Sequence, residues 1–121
     1  MRELLAFALS FPEAWEDHPW GETVVKVRKK IFVFLGPERL TVKLDESHAH
    51  ALSIEGAVPT GYGLGKAGWV TVPFAELPLD LLHDWIEESY CLVAPKRLAA
   101  VLTEGVREES ADVRGAGGDD A

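Results

Sequence analysis

Cysteine occurs once, at Cys91, so no disulfide can close within the chain, and a reducing cytoplasm is the expected setting. No apolar run approaches the ~18–20 residues that span a bilayer, so no membrane partner is expected. The opening stretch MRELLAFALSFPEAWED has only a short apolar segment. It runs into acid and not into the small-residue cleavage site of a secretory signal. Basic residues are the minority, with 12 Lys and Arg against 20 Asp and Glu, a net charge of −8 over 121 residues. A surface of that sign does not hold polyanions indiscriminately. The length fits one domain with no internal repeat, large enough to bury a core without a disulfide or metal staple. A monomer is expected.

Catalytic patterns are missing as well. The serines Ser10, Ser47, Ser53, Ser89 and Ser110 have no G-x-S-x-G setting. The run GYGLGKAG (61–68) invites a phosphate-loop reading, but Gly65-Lys66 is followed by Ala67, and Thr60 stands where the first Walker glycine belongs. Lys66 also replaces the third glycine of G-x-G-x-x-G. The run leads into a strand, so no helix N-terminus is there to receive an anion. His48 and His50 on one helix point about 200° apart and do not chelate one ion. Glu13, Glu16, Asp17 and His18 share a loop, where solvated acids are the ordinary outcome. His83 and Glu87 read as an i, i+4 helix pair. Glu46/Glu55 and Glu87/Glu88 carry no mark of a catalytic dyad. Cys91 reads as a buried structural thiol. The expectation is a protein that is not an enzyme, with no cofactor and no metal.

What is present is uneven charge. Residues 104–121 hold six acids and two arginines, a net −4, with four glycines and no aromatic residue. Such a segment buries too little apolar area to offset its ordering entropy. We therefore expect one domain over residues 1–104 and an acidic, glycine-rich flexible tail over 105–121. Residues 24–43 run the other way: Lys26, Arg28, Lys29, Lys30, Arg39 and Lys43 against Glu38 give +5.

Periodicity supplies the elements. Leu4, Leu5, Ala8 and Leu9 form one helical face, ended by Phe11-Pro12. Residues 12–22 read as a loop, with Trp15 and Trp20 packed over the core edge. VVKVR, IFVFL (31–35) and LTVKL (40–44) read as three strands joined by short links, hence an antiparallel meander. Leu40, Val42 and Leu44 point inward, and Thr41 and Lys43 outward. IFVFL is apolar throughout, so it is covered on both faces or exposes aromatics on one. Asp45 reads as the N-cap of a helix over Glu46–Ile54 with Ala49 and Leu52 inward. Residues 57–68 form a shaped loop. Trp69–Val72 is a further strand. Pro78 opens a helix carrying Leu81, Leu82, Trp85, Ile86 and Tyr90 at helical spacing, and Pro95 starts a short last helix. The class is α+β: an antiparallel sheet with helices packed on one face, in the order α-βββ-α-β-αα.

Several segments then line up with one family. They are Phe11-Pro12-Glu13-Ala14, Glu16-Asp17-His18-Pro19-Trp20-Gly21, and the strand pair around Lys26-Val27 and Lys30-Ile31-Phe32. Leu64-Gly65-Lys66-Ala67-Gly68-Trp69 follows, and last come Leu77-Pro78 and Ser89-Tyr90. In this order, over about residues 2–102, the chain resembles the MmcQ/YjbR family of small bacterial proteins. The resemblance implies a CyaY-like (frataxin-like) sandwich with a double-wing motif and a DNA-binding role. It departs from the family at Gly65 and Gly68, where Asn and His are common, and at the hairpin turn Arg28-Lys29, where glycine is common. The acidic ridge that a frataxin-like metal role needs is missing, since the first helix carries only Glu3.

Two binding functions follow as expectations. The first is DNA bound through a basic β-hairpin wing, with Lys26, Arg28, Lys29, Lys30 and Lys66 on phosphates. The second is a protein- or small-ligand-binding module that uses the loop 61–68, with Tyr62 and Trp69 at a pocket. Against the second, a large aromatic at a strand start is ordinarily buried, which is the expectation for Trp69.

Overall fold

The structure, a computed structural model, describes residues 1–61 and 63–102. The expected tail at 105–121 and the pocket candidate Tyr62 lie outside the described residues. Helix α1 (Arg2–Leu9) is followed by strands β1 (Ala14–Asp17), β2 (Thr23–Val27), β3 (Lys30–Leu35) and β4 (Arg39–Lys43). Then come α2 (His48–Leu52), β5 (Val58–Pro59), β6 (Trp69–Pro73) and α3 (Leu79–Val93). A last helix begins at residue 96 and reaches 102, the end of the described residues. The class is α+β, with one six-stranded antiparallel sheet in the order β1-β2-β3-β4-β6-β5. Among the described residues no helix is long and apolar enough to cross a membrane.

Two strands exceed those read from the sequence. Residues 14–17 are not loop: Ala14 to Asp17 pair with Val27 to Val24. AWED has no strand pattern of its own, and the exposed edge of β2 supplies the hydrogen bonds that make it one. Val58–Pro59 likewise pairs with Thr71 and Val70.

All the helices share one face of the sheet. Leu4 and Ala8 of α1, Ala51 of α2, Leu82, Trp85, Ile86 and Tyr90 of α3, and Leu98 join Val25, Val27, Phe32, Val33, Leu35, Leu40, Val42, Val70 and Val72 in one core. Burial of that apolar area is the main stabilising term. The α3 face is the one its spacing predicts, with Ser89 added. Cys91 lies one step past that face and is exposed, which corrects the buried-thiol expectation. Helix α2 is shorter than expected. It starts after Ser47, and Ala51 is buried where Ala49 was expected. The cause is Glu88: its carboxylate accepts the N–H groups of Asp45 (2.7 Å) and Ser47 (3.2 Å), which keeps the segment before His48 out of the helix.

The apolar strand IFVFL serves both faces because it is bulged. Val25 pairs with Val33 but Lys26 pairs with Ile31, so Phe32 is an extra residue in β3. The bulge turns Phe32 and Val33 together into the core, and sends Ile31 and Phe34 to the opposite face.

Candidate functional site

Cross-strand partners share a face, so the register reads out the helix-free side of the sheet. Trp15 lies beside Lys26, and Lys26 beside Ile31. Val24 lies beside Phe34, Phe34 beside Thr41, and Thr41 beside Thr71. Lys43 lies beside Trp69. The middle of this open face is apolar and hydroxyl-bearing. Trp69 packs edge-on to Phe34, with centroids 5.7 Å apart. Thr71 Oγ1 is hydrogen-bonded to Thr41 Oγ1 (2.8 Å) and Thr60 Oγ1 (3.0 Å).

Basic residues gather at one end of this face. Lys26, Lys29, Lys30 and Lys43 line a groove of about 440 Å³ against Phe34, Trp69 and the α3 residues Leu92 and Val93, and among the described residues no carboxylate lines it. A second groove, of about 450 Å³, adjoins it through Lys43 and Leu92 and holds Lys66. Lys43 comes from the outward side of β4 in the LTVKL alternation, and it lines the same groove as Lys30. Lys29, Lys30, Lys43 and Lys66 have no ion pair among the described residues. Lys26 is different: its ammonium lies 2.7 Å from Asp17 and 5.1 Å from the Trp15 ring centroid. Hydrogen bonding from Lys26 holds the Asp17 carboxyl below its ordinary range.

Arg28 stands apart from the groove. Its Nε and Nη2 donate to Glu13 at 2.9 and 3.4 Å, and this pair lowers the Glu13 pKa and raises that of Arg28. Both residues have left-handed backbones, with φ of 60° at Glu13 and 58° at Arg28. The Trp15 indole N–H also donates to the Arg28 carbonyl at 2.7 Å. The hairpin turn is therefore latched to the β1 edge, and its arginine is neutralised there.

The glycine-rich loop reaches the lysine groove through Leu64, beside Trp69. That indole is 9% exposed, as expected for a strand-start aromatic. Residues Leu64–Ala67 form a 3₁₀ turn beside it. A Cβ at Gly65 would come within 2.9 Å of Pro59 Cβ and 3.0 Å of the Thr60 carbonyl. At Gly68, where φ is +102°, it would come within 2.8 Å of the Leu44 carbonyl. Glycine at both positions lets the loop close onto β5 and the end of β4.

The other candidates scatter. Trp20, expected over the core edge, is 95% exposed; the turn Pro19–Gly21 holds its backbone at φ +54° and projects the indole into solvent. Trp15 is half-exposed on the open face. Glu16 pairs with His18 at 2.8 Å, and Glu13 and Asp17 are engaged elsewhere. Among the described residues no group of three could hold a metal ion. His83 makes no pair with Glu87. Its ring lies flat on Phe7, with centroids 3.8 Å apart, and its Nε2 has no partner among the described residues.

Sequence reasoning named Ser89 without giving it a structural role; it is a fully buried polar side chain on the core face of α3. Its hydroxyl donates to the Phe32 carbonyl at 2.6 Å and accepts the Lys43 N–H at 2.9 Å. Tyr90, next to it, donates to the Pro12 carbonyl at 2.8 Å, and burial raises its pKa. A small polar residue on the apolar stripe of α3 was the available signal for Ser89.

Among curated proteins no match to this chain is found. The YjbR family model matches residues 9–92, from the end of α1 through nearly all of α3, and so takes in the bulged hairpin, the lysine groove and Ser89-Tyr90. The chain belongs to the YjbR family.

Proposed function

We propose that this protein is a non-catalytic DNA-binding module that takes a phosphate backbone along the open face of its sheet. The observation that carries the reading is the groove in which Lys26, Lys29, Lys30 and Lys43 converge on Phe34 and Trp69, with no lining carboxylate among the described residues. Lysine ammonium groups that lack a protein counter-ion release condensed ions from DNA when they bind phosphate. Lys66 extends the same edge. The net charge of −8 keeps contact to this one region. Arg28, spent on Glu13, contributes little. Nothing in the groove makes a nucleophile–base pair, which favours binding over chemistry.

The test is fluorescence anisotropy with labelled DNA at low salt. Binding that weakens with salt, and that falls at least about tenfold when Lys29→Glu and Lys30→Glu are combined, supports the reading. No binding at tens of micromolar, or an unchanged affinity in that double variant, overturns it. The smaller support for a ligand or protein module at residues 61–68 is the exposed loop surface itself, since Trp69 is committed to packing.

A further inference from the structure

A larger groove, of about 720 Å³, continues the lysine groove across the open face. The two share Phe34 and Leu64. Its walls include Trp20, Phe34 and Leu64 on the apolar side and Thr41, Thr60, Arg39 and one acid, Glu22, on the polar side. Trp20 dominates it. An indole that is 95% exposed is unusual for so large an apolar group. Here the backbone adopts a left-handed conformation to present it, between Pro19 and a Gly21 with φ of 81°. The turn is closed by the Gly21 N–H to the His18 carbonyl (3.3 Å) and the Glu22 N–H to the Pro19 carbonyl (3.0 Å).

We infer that the DNA form this face accepts is a single strand, with an unpaired base stacked on Trp20 and phosphates a few nucleotides along the strand on Lys43, Lys30 and Lys29. This rests on the DNA-binding reading above and specifies its substrate. Three observations carry it. An exposed indole beside a run of phosphate-binding lysines is the pairing that single-strand sites use, since an unstacked base offers a free π face and a base in a duplex does not. Arg39 lines the same groove as Trp20 and offers donors to a base held there. Finally, a duplex carries one charge per about 1.7 Å of axis, and a protein of net −8 whose basic residues gather at one end of the sheet meets that density poorly. Strand β3, six residues long, runs between the two grooves. At about 3.4 Å per residue it separates the lysine end from the Trp20 end by roughly 20 Å, a path for a few nucleotides.

The experiment compares a labelled 15-nucleotide oligothymidylate with a labelled 15-base-pair duplex, by anisotropy, on the full chain at low salt. The expected result is at least about tenfold tighter binding of the single strand, with quenching of tryptophan emission. Trp20→Ala should cut single-strand affinity about tenfold, as the loss of one stacked base does, and leave duplex affinity unchanged. Because the Trp20 side chain is almost wholly outside the fold, its removal does not threaten folding, and an unchanged melting temperature verifies this. A duplex bound as tightly as the single strand, or a Trp20→Ala variant that binds the single strand as wild type does, overturns the inference and leaves the DNA-binding reading standing. Failure to bind either form overturns both.

Discussion

The hydroxyl of Ser89 donates to the carbonyl of Phe32 at 2.6 Å, reaching from α3 to the bulged residue of β3. The same oxygen accepts the N–H of Lys43 at 2.9 Å. The β3–β4 register runs through Val33 and Val42, so Phe32 and Lys43 are the next pair. A helix side chain stands between them in place of a direct ladder bond. On its other edge Lys43 stays paired with Trp69, and its side chain lines the lysine groove.

Ser89→Ala should therefore cost more than an ordinary buried hydroxyl. It strands a carbonyl and an N–H at once in a fully buried site. The expected loss is about 2–3 kcal/mol, read from the urea midpoint with an unchanged m-value. A loss under about 0.5 kcal/mol would mean that the strands close on each other and that the hydroxyl is not what holds them apart.

Lys43 and Lys26 line the same groove but should differ in binding. Lys26 is held by Asp17, and Lys43 has no acidic partner among the described residues. Lys43→Ala should make the slope of log K against log salt shallower by about 0.9, one phosphate's worth. Lys26→Ala should change it less. Equal changes from titrations over a salt series would show that the Asp17 pair opens on binding.

The Glu13–Arg28 pair predicts a gain from losing an acid. Glu13→Gln should release the Arg28 guanidinium at the hairpin tip and raise DNA affinity a few-fold, while Arg28→Ala alone changes affinity by less than about twofold. A large loss in Arg28→Ala would put the arginine on phosphate despite its partner.

Gly68→Ala should cost about 2 kcal/mol or more, because φ of +102° and a 2.8 Å approach to the Leu44 carbonyl both oppose a Cβ. Gly61→Ala, with open space around it, should stay within about 0.5 kcal/mol. Chemical denaturation of the two variants side by side is the check.

Glu88 sets a pH dependence. Partial burial opposes its charge, but the N–H groups of Asp45 and Ser47 outweigh that, and the carboxyl titrates below the usual 4.5. A carboxyl depressed in the folded state stabilises above its unfolded pKa, and that contribution disappears as pH falls through the folded value. Glu88→Gln should thus melt below wild type near neutral pH, and the gap should close as pH falls below about 4.5. A gap that stays constant into acid would assign the difference to packing.

The sequence by itself determined the α+β class, the meander, the inward set Leu40, Val42 and Leu44, and the apolar face of α3. Each is written in a local period of two or about 3.6, which the chain obeys wherever one face must be buried. It also showed the +5 segment that supplies most of the groove's lysines. Only the tertiary structure decided which of those charges act together. Ala14–Asp17 became a strand because β2 had an open edge, and that strand brought Glu13 to Arg28 and Asp17 to Lys26. The bulge at Phe32 sent Phe34 to the open face, and the folded sheet brought Lys43 into one groove with Lys30. These are contacts between residues far apart in the chain, fixed by register and by which partner reaches a charge first. No local period encodes them.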